Sequence, residues 1–295
     1  MKRFQKALFL KKMVFAALIL FLLMGCSSIQ LVYEFGDDYL EWKLDDYFDL
    51  THEQEAFVEE SIDQYFIWHR QEELPQYVQL LEKLSQESAD GVTKEELDWA
   101  FAQYEKRRDV LLEQVIPKTA KFLSGLHAEQ IKVLEATMLE ENKEMAEGLE
   151  RSRNKQGEED LEKFLGSLNE WFGELNPKQV KQLTQWHQEW NKNRADRSSE
   201  RLERRKNSQS VFLALLKTDP SQEKVDQWLR QQVRLYVSPL DPDAQSKRNE
   251  RIERNKKRIL MVDSILTRQQ RQNAIEELQS YIDQMRNMVI KPKST

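Results

Sequence analysis

Cys26 is the only cysteine of the 295-residue chain and so its one nucleophilic thiol. The histidines are His52, His69, His127 and His187. His52-Glu53 opens like a zinc-protease motif, but four residues on from His52 stands Ala56, so the second imidazole ligand is missing. No His-x-x-His, Gly-x-Ser-x-Gly or glycine-rich phosphate loop occurs. The carboxylate pairs Asp45-Asp46 and Glu72-Glu73 have the residue types for acid–base work on sugars. Such pairs are frequent in a chain with 51 acidic residues. His69 beside Glu72 and Glu73 is the best remaining catalytic grouping. The expectation is a non-enzyme with no catalytic residue, no metal and no cofactor. A cryptic hydrolase around His69 and Glu73 is the remote alternative.

The elements around Cys26 say more than its thiol does. Lys2, Arg3, Lys6, Lys11 and Lys12 precede twelve uncharged, mostly apolar residues, Met13 to Met24. A spanning helix needs about 18 or more apolar residues, so residues 1–25 read as an export signal. Leu23-Met24-Gly25-Cys26 resembles a bacterial lipobox. That resemblance implies cleavage before Cys26 and acylation, palmitate included, of its thiol and new amino group. Ser27, where no Asp stands, implies an outer-membrane destination with the body on the periplasmic face, inner-membrane retention being the alternative. A mature chain lipidated at Cys26 has no thiol left for a disulfide, so its stability must come from packing. Nucleic acid would be in the wrong compartment.

Charged residues make up 33% of the chain, with 8 Gly and 7 Pro, the profile of long amphipathic helices rather than sheet. The expected class is all-α, an extended helical bundle or hairpin array with coiled-coil character. Charge is unevenly spread. Residues 26–150 hold 30 acidic and 11 basic side chains, and residues 151–295 hold 21 acidic and 29 basic. Glu34 to Asp63 carries twelve carboxylates against Lys43 alone. Either solvated faces happen to differ, or the halves attract each other or different partners.

Four segments share one pattern. They are Leu50-Thr51-His52-Glu53-Gln54, Leu126-His127-Ala128-Glu129-Gln130, Leu175-Asn176-Pro177-Lys178-Gln179 and Leu266-Thr267-Arg268-Gln269-Gln270. Thr or Asn at the N-cap accepts from an orphan N–H, and Gln three residues on reaches back to the N-cap N–H. His127 is a poor cap, so the second copy is the weakest. Ser, Asp or Glu would cap equally well, so either these are caps alone or the glutamines do something more. The segments resemble the L-T-x-x-Q signature of small periplasmic chaperones of the Spy type. That resemblance implies a helical hairpin for each pair of copies, in an all-α cradle for unfolded clients.

The chain divides into a signal (1–25), a tether (26–36), an acidic helical region (37–157), a central region with a long basic helix (158–238) and a C-terminal helical hairpin (239–295). A helix stops before Pro117, and one unbroken helix runs from Pro177 to Thr218. Within it Arg194, Arg197, Arg201, Arg204 and Arg205 form an arm with few apolar residues, which projects or docks on something acidic. Trp42 and Trp68 head two aromatic clusters and are expected as core anchors, or else as a groove for a peptide or glycan. The clusters, Trp42 to Gln54 and Trp68-His69-Arg70-Gln71-Glu72-Glu73-Leu74-Pro75-Gln76-Tyr77, resemble an uncharacterised family of proteobacterial lipoproteins. The resemblance implies an all-helical, membrane-anchored periplasmic protein. The functional expectation is protein binding, in envelope maintenance or as a chaperone. The alternative is an adaptor or a binder of anionic lipid or lipopolysaccharide through the arginine arm. Expected partners are the membrane, through acylated Cys26, and periplasmic proteins, with self-association a further expectation.

Overall fold

The computed structural model describes residues 28–87, 90–152, 156–192, 194–237, 239 and 241–290. Among them all regular structure is helical. The helices are α1 (Ser28–Phe48), α2 (His52–Trp68), a π-helical turn (His69–Glu73), α3 (Leu74–Glu87), α4 (Lys94–Ser124), α5 (Ala128–Ser152), α6 (Gln156–Phe172), α7 (Pro177–Asn191), α8 (Arg194–Leu216), α9 (Gln222–Val237), α10 (Pro242–Asp263) and α11 (Arg268–Ile290).

The 31-residue α4 is the spine, about 46 Å long at 1.5 Å per residue. Thr93 and Glu96 close a capping box at its start. That start lies beside the α10–α11 turn: Lys256 Nζ donates to Asp98 at 2.6 Å, and a Cβ on Gly91 would stand 3.2 Å from Asp263 Oδ2. Its far end, at Gly125, lies beside the α1–α2 turn, where Gln54 Nε2 donates to the Gly125 carbonyl. The molecule is therefore elongated, with a pair of helix joints at each pole. Along the spine pack α9, α2, α3 and α10, while α5 carries α8 and α11 runs back along α3 and α6.

The main core joins Phe48, Val58, Phe122 and Leu134 to Leu213, Leu216 and Val225. Residues of the expected acidic and central regions thus share one core. A smaller cluster of Tyr33, Leu74 and Met288 lies where α1, α3 and α11 meet. The charge asymmetry has a structural use. Glu82 pairs with Arg286, Asp98 with Lys256, Glu105 with Arg248, Glu113 with Arg230, Glu135 with Lys217 and Glu141 with Arg205. Each of these joins the acidic half to the basic half. Lys256 is buried and Arg248 nearly so, but most of the partners are solvent-accessible, and accessible pairs contribute only about 0–1 kcal/mol each, so they set register more than stability.

Several expected boundaries differ. Residues 28–36, expected as tether, are the first turns of α1, and Tyr33 is buried against Phe66. Helix α4 passes through Pro117, because Ile116, Ala120, Phe122 and Leu123 are drawn into the core. Pro117 has no N–H for the Glu113 carbonyl, a loss that this burial offsets. The long helix from Pro177 breaks after Asn191. Leu183 and His187 bury at one pole, while Leu213 and Leu216 join the main core near the other. The C-terminal hairpin does not close on itself, since α11 packs on α3 and α6 rather than on α10. The π turn arises where Pro75 cannot donate to the Gln71 carbonyl; the helix widens, and Leu74 N–H reaches His69 O instead.

Candidate functional site: clasped helix joints and their pockets

Each of the four Leu-x-x-x-Gln segments joins two helices. In the first, the Gln54 backbone N–H donates to Thr51 Oγ1 and the Thr51 N–H donates to Gln54 Oε1 at 3.0 Å. The same backward bond runs from His127 N to Gln130 Oε1, Asn176 N to Gln179 Oε1 and Thr267 N to Gln270 Oε1. With Oε1 turned to its own helix, each Nε2 points outward, and it meets another copy. Gln54 and Gln130 donate to each other's Oε1 at 3.0 and 2.6 Å. Gln179 and Gln270 do the same at 2.7 and 3.1 Å.

Each Nε2 also reaches a carbonyl of the opposite joint. Gln54 donates to Gly125 O, Gln130 to Asp49 O, Gln179 to Ile265 O and Gln270 to Glu174 O. All four carbonyls belong to the residue directly before the motif leucine. These are helix-end carbonyls, which lack an intrahelical partner. The glutamines thus cap a helix start and a foreign helix end together. The first and third joints each contain a left-handed residue, Asp49 directly before its motif leucine with φ 49° and Gly173 two before with φ 75°. At Gly173 a Cβ would stand 2.6 Å from Asn273 Nδ2, and the left-handed φ strains any residue with a Cβ, so the position favours glycine.

Beside each clasp lies an open apolar pocket. The first pole holds one of about 730 Å³ between α1, α2, α4, α8 and α9, walled by Leu44, Phe57, Ile62, Phe122, Phe212 and Trp228. Lys118 is its one charged lining residue, and it donates to Gln64. The second pole holds one of about 630 Å³, lined by Phe164, Leu168, Trp171, Trp190 and Leu278 together with Arg258. Both fall in the usual range of ligand sites. Among the described residues no group of His, Cys, Asp and Glu could hold a metal ion.

Residues 46–239 match DUF6279, a family of unknown function. The chain belongs to this family. The matched stretch covers the first three glutamine joints and most of the first pocket, but not Gln270. No curated protein and no solved structure matches the chain.

Within the family stretch, His69 and Glu73 do not form a dyad. Tyr33 and Tyr77 hydroxyls bond the two ring nitrogens of His69. Glu73 is buried and accepts from Arg107 at 3.1 Å. Burial holds His69 below its usual pKa and pushes Tyr77 up to about 12. None of His69, Glu73 and Arg107 lines either pocket. The histidine and carboxylate of the remote hydrolase alternative are built into the packing around the π turn.

The arginine arm is partly consumed. Arg205 and the Tyr47 hydroxyl both donate to Glu141, and Arg204 pairs with Glu200. Arg197 donates to the Trp190 carbonyl at 3.1 Å, while Arg201 is exposed. The Arg194 side chain and Cys26 lie outside the described residues. Trp68 is half-buried against Tyr65. Trp42 is no core anchor: it is 60% exposed, on an outward stripe with Val32, Phe35 and Tyr39. Helix α1 has more apolar positions than its inner face can bury. No described helix is long and apolar enough to cross a membrane. Sequence reasoning missed Arg258, which lies at the end of a polar run, Lys247 to Arg258, and the Glu73–Arg107 pair, which lies among many unpaired-looking charges.

Proposed function

We propose that the chain is a non-enzymatic, lipid-anchored envelope protein that binds other proteins, holding their exposed apolar segments in the pocket of the first pole. The observation that supports this reading is the pocket itself. A chain with 33% charged residues keeps an almost wholly apolar concavity open to solvent. Isolated exposed apolar residues are ordinary, but a contiguous concave patch marks a binding surface. Two of its walls, α1 and α2, come from the segment with twelve carboxylates and a single lysine. The favoured client is therefore an apolar stretch flanked by basic residues. Acylation at Cys26, two residues before α1 starts, would tether the body to the membrane through the end of α1 about 30 Å from the first pole's clasp. Its face would be the periplasmic side of the outer membrane, with the inner membrane as the alternative.

Full-chain protein in nanodiscs, titrated with fluorescent apolar peptides, tests the reading. A Lys-flanked peptide should bind about tenfold tighter than a Glu-flanked one, or about 1.4 kcal/mol. Val115→Arg, at the exposed rim, should abolish the difference. Equal binding of both peptides, unchanged by Val115→Arg, or no binding of either, would overturn it.

A further inference from the structure

The second pole's pocket has what the first lacks: a lining guanidinium that has no carboxylate partner among the described residues and keeps a buried N–H without an acceptor. Arg271 also lines this pocket, but Asp263 neutralises it with bonds at 3.0 and 3.2 Å. Arg258 has no such acid. Among the described residues its one hydrogen bond is from Nη2 to the Trp190 carbonyl at 3.3 Å. Its Nε is buried and unpartnered. Its guanidinium sits 5.0 Å from the centre of the Trp190 ring, which fixes its plane. Arg197 converges on the same Trp190 carbonyl. Burial and the neighbouring charges of Arg254 and Arg197 make the Arg258 cation less favourable than usual. A buried donor without an acceptor is unfavourable, and an anion would relieve both penalties.

From Arg258 the pocket continues between α6, α10 and α11 over Phe164, Leu168, Ile259 and Leu278. The arrangement is a forked cation at one end of an aromatic and aliphatic trough. We propose that this pocket binds a single-chain anionic amphiphile, its carboxylate or phosphate head on Arg258 and its acyl chain in the trough. The first pole offers the internal comparison, being of similar size and apolar lining but with its lysine already bonded to Gln64.

The test uses full-chain protein in maltoside micelles and three photoreactive probes of equal chain length: a diazirine-bearing fatty acid, the corresponding lysophosphatidic acid and the corresponding fatty amine. Crosslinked peptides are mapped by mass spectrometry. At least one of the two anionic probes should label residues 164–171 and 255–278 about tenfold more than the amine does. Labelling by the fatty acid alone means a carboxylate head, and by the lysophosphatidic acid alone a phosphate head. Arg258→Gln should reduce labelling about tenfold while Arg258→Lys keeps most of it, with circular dichroism confirming both folds. Should Arg258→Gln not fold, the acid-versus-amine contrast on the unaltered protein decides. Equal labelling by acids and amine, labelling centred on the first pole, or full labelling of a folded Arg258→Gln protein would overturn the proposal.

Discussion

Gln54 and Gln130 each perform two tasks with one amide group. The oxygen caps its own helix, and the nitrogen bonds its counterpart and the end of the opposite helix. Gln130 is buried, and removing its counterpart takes away two hydrogen bonds of its amide, each worth about 0.5–1.5 kcal/mol, while those with Phe48 O, Asp49 O and His127 N remain. Gln54→Ala and Gln130→Ala are therefore expected to be non-additive. In urea titrations each single change should cost about 1–3 kcal/mol, and the double change at least about 1 kcal/mol less than their sum. Additivity within about 0.5 kcal/mol would mean that these residues are independent caps. The helix-start role was legible in the four Leu-x-x-x-Gln segments, because capping is local. The clasp was not, because it links residues 76 and 91 positions apart. Arg258 was hidden for the same reason, since nothing in its own helix shows that Trp190 lies beneath it.

At the scale of elements, proline positions read well as disturbances and poorly as ends. Pro75 widens a turn and Pro117 rides inside α4, because the buried residues that follow each proline hold the helix in place. The π turn also carries a pH response. His69 is faced by Tyr33 of α1, Tyr65 of α2 and Tyr77 of α3, with Arg70, Glu73 and Arg107 the charged groups around the same turn. Burial lowers its folded-state pKa from 6.5, so the unfolded chain takes up the proton first as pH falls. The stabilisation is complete above about pH 6.5 and is lost as pH falls through the lower folded value. Thermal melts at pH 7.5 and 5.5 should show the drop. His69→Asn should be less stable at pH 7.5 but show a smaller drop between the two; parallel losses in both proteins would place the pH response elsewhere.

For the whole molecule, the all-helical class could be drawn from composition, while the charge asymmetry left attraction between the halves as one reading among several. The pairs from Glu82–Arg286 to Glu141–Arg205 give that attraction its geometry. Independent regions could not be read correctly, because Leu213, Leu216 and Val225 complete a core begun by Phe48 and Phe122. The result is one rod, clasped at both poles, with an apolar pocket beside each clasp. The central claim is that the first pole's pocket receives an unfolded client. Its most direct measurement places a photocrosslinking amino acid at Val115, on the rim, or at Glu203, on the exposed face of α8, in the full chain held in nanodiscs. Each protein is irradiated with a defined, permanently unfolded client. A client adduct from position 115 and none from position 203 is the predicted result. Equal adducts from both positions, or none from 115, would contradict the account.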